Sequence, residues 1–124
     1  MSDAAPYTSL RYDEMPSLWD GFAHLVRPGL GLSAFGANVM NLPPDYQTKA
    51  HDESDSGQEE LYVGLAGSGA VLVGDERLVL DPEHAVRVAP GTPRVLASGP
   101  DGLRVLIIGG VPGQAYVAPE WSSG

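Results

Sequence analysis

Short apolar runs alternate with turn residues along most of this chain. Glycine and proline punctuate the sequence as "RPGLG", "NLPPD", "APGTP" and "GGVPG", and runs rich in Val, Leu and Ile lie between them. Short strands separated by turn residues at this spacing are typical of an all-β sandwich or barrel. The pattern predicts strands at residues 32–41, 46–51, 60–66, 69–73, 76–80, 85–88, 94–98 and 103–109.

Local patterns refine this prediction. The segment "AVLVGDERLVL" predicts a β-hairpin with Gly74 and Asp75 at its turn, since glycine and aspartate are favoured in tight hairpin turns. Near the N-terminus, "PSLWDGFAHLV" at residues 16–26 predicts one short helix. Four large aromatic side chains are expected in the core or as a cover over it: Trp19, Phe22, Phe35 and Trp121.

The composition indicates a globular chain and excludes several functions. The chain has 124 residues, of which 43% are hydrophobic, as expected for a single domain. Its net charge of −9 argues against nucleic acid or an anionic membrane as a partner, because both are held by Lys and Arg. The absence of cysteine excludes disulfides and thiolate chemistry. No signal-peptide pattern or apolar membrane span is visible, and a cytoplasmic location is therefore expected.

The stretch "HDESDSGQEELYVGLAGSG" carries the densest candidate chemistry. It opens on His51, continues with several carboxylates and then becomes an apolar strand. A histidine beside carboxylates can hold a divalent ion. The same residues can equally form a solvated loop, and this is the expectation for Asp52, Asp55 and Glu59.

A longer segment, "QEELYVGLAGSGAVLVGDERLVLDPEHAVRVAPGTPR", resembles the core of a cupin domain. Cupins carry two sequence motifs. Glu60 and Gly67 match the end of the first motif, and "VAPGTPR" matches the second, with Gly91 at its glycine position. The resemblance covers about residues 32–110. It implies a double-stranded β-helix, or jelly-roll barrel, over residues 32–112. An N-terminal extension (residues 1–31) would pack on this barrel, and residues 113–124 would form a C-terminal tail.

The metal ligands of the family are largely replaced in this sequence. Without a gap, the two histidine positions of the first motif fall on Glu53 and Asp55; with two extra loop residues they fall on His51 and Glu53. The histidine position of the second motif is Arg94. Because a guanidinium stays charged and repels a dication, the sequence predicts no essential metal. If a divalent metal does bind, its ligands are expected to be His51, Glu53 and Glu60.

Strand alternation and the resemblance together indicate a ligand site. Glu60, Tyr62 and Gly64 share one face of their strand, and the resemblance implies that this face points into the barrel. A buried glutamate needs a partner, and Arg94 is the natural candidate. The sequence therefore predicts a small-molecule site, with an anionic ligand favoured, that is formed by four residues: His51, Glu60, Tyr62 and Arg94.

Two enzymatic functions remain open beside simple binding. One is a metal-dependent oxygenase or isomerase that uses the possible metal ligands named above. The other is a metal-free epimerase or cyclase in which His51 or Glu60 acts as a general base. The clustered ionisable residues keep both alternatives open.

A homodimer is also expected. The resemblance implies it, and the apolar face formed by Leu61, Val63 and Leu65 lies outside the predicted cavity. This face has to be covered by another sheet, by the N-terminal segment or by a second subunit.

Overall fold

The computed structural model of the chain describes residues 5–118 and is almost entirely antiparallel β-structure. A short 3₁₀ helix (Tyr12–Glu14) precedes the first strand, and one five-residue helix, α1 (Val26–Leu30), follows the second. The strands are β1 (Ser17–Leu18), β2 (Ala23–Leu25), β3 (Gly36–Leu42), β4 (Glu59–Val73), β5 (Glu76–Leu80), β6 (Ala85–Val88) and β7 (Val95–Gly110). Within the described residues, no helix is long and apolar enough to span a membrane.

Two long strands, β4 and β7, organise the sheet. They pair with each other along most of their length. The strands of the sheet follow the order β1-β2-β3-β7-β4-β5, and β6 also pairs with β4. The register between β4 and β7 shifts twice, between Gly64 and Ala66 and between Gly67 and Gly69. Such irregularities bend a strand, so each half of β4 meets a different neighbour. This all-antiparallel arrangement confirms the predicted jelly-roll barrel.

Several predicted strands agree closely with the structure, whereas others merge. Residues 76–80 and 85–88 form β5 and β6 as predicted. The hairpin turn is also confirmed, since Val73 pairs with Glu76 across Gly74 and Asp75. The predicted strands at 60–66 and 69–73 are one bent strand, β4, and those at 94–98 and 103–109 are one strand, β7.

The strand predicted at residues 46–51 is wrong, because this segment follows β7 without forming a regular ladder. Two isolated bridges, Gln47 with Ala97 and His51 with Arg94, and a few backbone hydrogen bonds such as Thr48 N–H to the Leu96 carbonyl join it to β7 and its N-terminal flank. Side chains provide some of the hydrogen bonds that a ladder would take from the backbone. The Thr48 hydroxyl accepts the Leu96 N–H at 3.0 Å. Such side-chain bonds to the backbone compete with strand pairing.

The helix predicted at residues 16–26 is also wrong. The strands β1 and β2 form a hairpin there, and β2 pairs with β3 through His24 and Val39, among others. Pro16 and Gly21 disfavour a helix, and pairing with the edge of β3 overrides the weak local helical preference. The only helical turn in this region, α1, begins at Val26, where the predicted helix would have ended.

The buried side chains form two clusters on either side of the sheet. The first lies within the barrel and contains Tyr62, Val71, Leu80, Leu96 and Val105, among others. The second lies under the N-terminal segment: Met15, Val26, Ala37 and Val39. Leu65 packs against this second cluster, whereas Leu61 remains 38% exposed. The N-terminal segment therefore covers part of the apolar outer face that the sequence predicted, and Leu61 lies outside the covered part.

Candidate functional site

The bridge between His51 and Arg94 brings the acidic loop to the barrel wall. The backbone N–H of each residue donates to the carbonyl of the other, at 3.1 Å for His51 and 2.9 Å for Arg94. Glu60 lies near the start of β4, where it pairs with Val88 of β6 and Gly109 of β7. The site is therefore held by backbone pairing from three strands, which fixes the positions of its side chains.

Glu60 is the hub of the polar contacts in this site. Its Oε1 accepts a hydrogen bond from the Tyr62 hydroxyl at 2.7 Å and another from Arg94 Nη1 at 3.0 Å. The imidazole Nε2 of His51 lies 3.9 Å from the same oxygen and 3.4 Å from Glu53 Oε2. The predicted Glu60–Arg94 pair is thus present, and all the residues singled out from the sequence lie together.

Arg94 lies behind Glu60 rather than in the cavity. Its side chain is fully buried. Its second terminal nitrogen, Nη2, donates to the Ala89 carbonyl at 2.6 Å. The guanidinium Nε is buried and has no hydrogen-bond partner among the described residues. These contacts hold Arg94 against Glu60 and Ala89, and Arg94 does not line the cavity that opens beside Glu60.

The environment changes the protonation behaviour of two groups. Burial raises the pKa of Glu60 above its usual range, while the Tyr62 hydroxyl and, more weakly, Arg94 act in the opposite direction. Burial, helped by the nearby Glu60, also raises the pKa of Tyr62. The tyrosine hydroxyl therefore keeps its proton and serves as a donor, and Glu60 takes up a proton more readily than an exposed glutamate does.

A cavity of about 300 Å³ opens beside this cluster. Its polar end is formed by His51, Glu53, Glu60 and Tyr62, and its apolar wall includes Met40, Leu96 and Ile107. Asn38, Thr48 and Trp19 complete much of the lining. The arrangement places a concentrated set of proton donors and acceptors at one end of a mostly apolar chamber.

His51, Glu53 and Glu60 are the residues that would hold a divalent metal of the kind found in cupins. His51 Nε2 and one oxygen from each of Glu53 and Glu60 lie within 4.8 Å of one another. However, Glu60 Oε1, the oxygen 3.9 Å from His51 Nε2, already accepts two hydrogen bonds, and Nη1 of the buried Arg94 is 3.0 Å away from it. A fixed cation at this range opposes a dication by several kcal/mol, on the order of the Coulomb energy at an effective dielectric of about 20. These residues do not fit a tightly held metal.

Among the cavity residues that sequence reasoning did not single out are Thr48 and Trp19. Thr48 was placed in a strand, and Trp19 was expected in the core or its cover, yet Trp19 is 70% exposed at the cavity mouth. No motif marks either residue, since their positions depend on the N-terminal hairpin and on the irregular segment beside β7. Trp121, the other tryptophan, lies outside the described residues.

Removing the Tyr62 hydroxyl is expected to raise the pKa of Glu60 further. The hydroxyl stabilises the ionised carboxylate, so Tyr62→Phe should shift the titration of Glu60 to higher pH. Carbon-detected NMR of the Glu60 carboxyl group measures this directly. Tyr12→Phe, in the 3₁₀ helix outside the cavity, is the matched control and should leave the titration unchanged. An unchanged or lower pKa in Tyr62→Phe would contradict the assigned hydrogen bond.

Comparisons with solved structures place the fold among known proteins. A cupin protein from Bacteroides fragilis superposes with a TM-score of 0.70 at 20% identity, covering 98% of this chain and 97% of that one. A protein from Photorhabdus luminescens gives a TM-score of 0.67 at 13% identity, covering 97% and 92% of the two chains. The cupin domain of a transcriptional regulator from Enterobacter cloacae gives 0.61 at 18% identity, covering 73% and 95%. Neither a protein-family model nor a curated protein matches the sequence. The chain therefore has the cupin fold, as its motifs predicted.

Proposed function

We propose that this cupin-fold protein binds a small molecule in its barrel cavity and needs no metal to do so. The observation that carries the proposal is the cavity of about 300 Å³, whose apolar wall ends in a cluster of His51, Glu53, Glu60 and Tyr62. Concave sites of this size, mostly apolar with a few converging polar groups, are typical of small-molecule binding.

The charges of the site favour a ligand head group that donates hydrogen bonds. The anionic ligand expected from the sequence requires Arg94 to be free, but Arg94 is buried and bonded to Glu60 and Ala89. The cavity is lined by two acidic side chains, Glu53 and Glu60, and the one cation beside them, Arg94, is already paired with Glu60. A hydroxyl, amide or ammonium group therefore fits this end of the cavity better than a carboxylate or phosphate does.

Acid–base catalysis is a second candidate function, favoured by the raised pKa of Glu60. His51 Nε2 lies 3.9 Å from the Glu60 carboxylate, and both groups reach the same cavity. A carboxyl group that titrates closer to neutrality can give a proton to a ligand and take it back. This candidate needs the same bound molecule as the first, so the binding experiment comes first for both.

The proposal is tested on protein purified without a chelator. Elemental analysis should find no stoichiometric divalent metal. Native mass spectrometry should detect a bound small molecule, or, if the site is empty, fragment screening by NMR should find molecules that bind to it. The resonances of His51 and Glu60 should then move. A stoichiometric metal that survives dialysis against a chelator would overturn the metal-free proposal and favour the metal-dependent enzyme.

A matched pair of variants separates the cavity from the acidic surface. Glu53→Gln removes a charge from the cavity, whereas Glu76→Gln removes one from the exposed β5 hairpin. Binding should weaken in the first variant and stay unchanged in the second. Equal effects in both would indicate that the protein responds to overall charge and that the cavity is not the site.

We also propose that the protein is a homodimer. Leu61 and Phe35 are 38% and 37% exposed, and with Ile108 and Val111 they line a largely apolar groove of about 460 Å³ outside the barrel. Sedimentation should give a dimer at micromolar concentration, and Leu61→Glu should shift it towards monomer because a charge is costly in an apolar interface. Leu78→Glu, on β5, is the control. A wild-type monomer at high micromolar concentration would contradict the dimer.

A further inference from the structure

Three aromatic rings form a wall at the mouth of the barrel cavity. The rings of Trp19 and Phe22 are 6.3 Å apart, and those of Phe22 and Tyr46 are 5.6 Å apart, both in edge-to-face geometry. With Met40 and Thr48 they line a groove of about 470 Å³. This groove shares Trp19, Met40 and Thr48 with the barrel cavity. The two spaces therefore adjoin each other at these three residues.

Stability does not account for the position of Trp19. The residue has φ of +52° and its neighbour Asp20 has φ of +54°, a backbone conformation that disfavours bulky side chains. Its side chain is largely exposed at the tip of the β1–β2 hairpin and gains little from burial. Strained residues of this kind are retained where the surrounding structure holds them for a purpose. Here the strain directs an aromatic ring over the cavity mouth.

The barrel cavity and the aromatic groove both favour a cation over an anion. Carboxylates of Glu53 and Glu60 line the cavity, which is the inner of the two spaces, and the π-faces of the aromatic rings that line the groove, the outer space, attract cations. The buried Arg94 is already paired and gives no free cation for an anionic head group. The outer wall, in turn, offers apolar surface for an aryl or branched alkyl group.

We propose that the ligand is an amine carrying an aryl or comparable apolar group. Its ammonium group lies on the cavity side of Glu53 and Glu60, beside His51, and its apolar group packs on Trp19, Phe22 and Tyr46. This inference rests on the proposed small-molecule function and deepens it, because it assigns the substrate class and makes Trp19 a specificity-determining residue.

Three simple probes test the two parts of the inference. They are 2-phenylethylamine, which has both parts; ethylamine, which lacks the ring; and 3-phenylpropionate, which carries the opposite charge. NMR titration of the wild-type protein should show 2-phenylethylamine binding about tenfold more tightly than either of the others, since contacts between aromatic rings are worth up to about that factor and the carboxylates disfavour an anion.

Trp19→Gly provides a variant that should fold well. Glycine adopts positive φ without strain, so the melting temperature should equal or exceed that of the wild type. Affinity for 2-phenylethylamine should fall about tenfold, while that for ethylamine should not change. Tyr7→Gly removes another exposed aromatic ring, away from the cavity, and is the control.

The outcomes distinguish this inference from the function on which it rests. If ethylamine binds as tightly as 2-phenylethylamine and Trp19→Gly has no effect, the aromatic part is wrong and the cavity function stands. If 3-phenylpropionate binds most tightly, the cationic part is wrong and the cavity function again stands. If no probe moves the resonances of His51 or Glu60, the assignment of an amine ligand is wrong, and if a stoichiometric metal is also present, the proposed metal-free function fails with it.

Discussion

Replacing Arg94 with methionine is expected to lower the free energy of unfolding by about 3–5 kcal/mol at neutral pH. Methionine fills similar volume but removes the charge that neutralises Glu60 and the donor that satisfies the Ala89 carbonyl. An unpaired buried charge and an unsatisfied carbonyl are both costly. Denaturant unfolding followed by circular dichroism measures the loss.

Arg87→Met is the matched control for this prediction. Arg87 also pairs with a glutamate of β4, through its Nε and Glu59 Oε2, but both side chains lie at the surface. Exposed ion pairs contribute about 0–1 kcal/mol because water solvates the separated charges well. A loss in Arg94→Met as small as that in Arg87→Met would contradict the role of Arg94 as a buried anchor.

The pH dependence identifies Glu60 as the source of the loss. Burial raises the pKa of Glu60 above 4.5, and removing Arg94 removes an influence that lowers it. A carboxyl group whose pKa is higher in the folded than in the unfolded state stabilises the folded protein when it is protonated. This stabilisation is lost as the pH rises through the folded-state pKa. The difference between Arg94→Met and wild type should therefore be largest near pH 7 and shrink towards pH 4.5. The double variant Arg94→Met with Glu60→Gln should recover part of the loss at neutral pH.

Hydrophobic periodicity predicted many of the strands, because strand pairing buries one face of each strand. The alternation around Glu60 placed Tyr62 and Glu60 on one face, the cupin resemblance implied that this face points into the barrel, and Tyr62 is indeed buried. The β4–β5 hairpin followed from Gly74 and Asp75, whose conformational preferences act locally. The resemblance of the motifs to those of cupins then predicted that these local elements form a barrel.

Features that depend on distant contacts were not predictable in the same way. The hairpin around Trp19 forms because β2 pairs with β3, and the segment around Thr48 is shaped by a side chain that takes a backbone hydrogen bond from Leu96. The match to the second cupin motif predicted that Arg94 belongs to the site. The buried position of its guanidinium behind Glu60 is visible only in the folded structure. The depth of a side chain, unlike the face on which it lies, is set by the packing of the whole barrel.

The two glycines that match the cupin motifs, Gly67 and Gly91, also differ in their surroundings in a way that the sequence does not show. Gly67 has φ of +76°, and a Cβ built on it would overlap the carbonyl oxygen of Gly102. It lies at the second register shift between β4 and β7, where the two backbones approach closely. Gly91 has open space around it, and its φ angle is outside the left-handed region. Only the first position therefore requires glycine on physical grounds.

Gly67→Ala is accordingly expected to destabilise the protein by about 3 kcal/mol, the sum of an unfavourable backbone angle and overpacking against a backbone that cannot move aside. For a chain of this size, such a loss lowers the melting temperature by about 10 °C. Gly91→Ala should change stability by less than about 1 kcal/mol, and in the stabilising direction, because alanine restricts the unfolded chain without a clash. Thermal unfolding of the two variants side by side makes the comparison. Equal losses would mean that the bend of β4 does not depend on Gly67, and that another residue of the Gly64–Gly69 segment sets the curvature of the barrel.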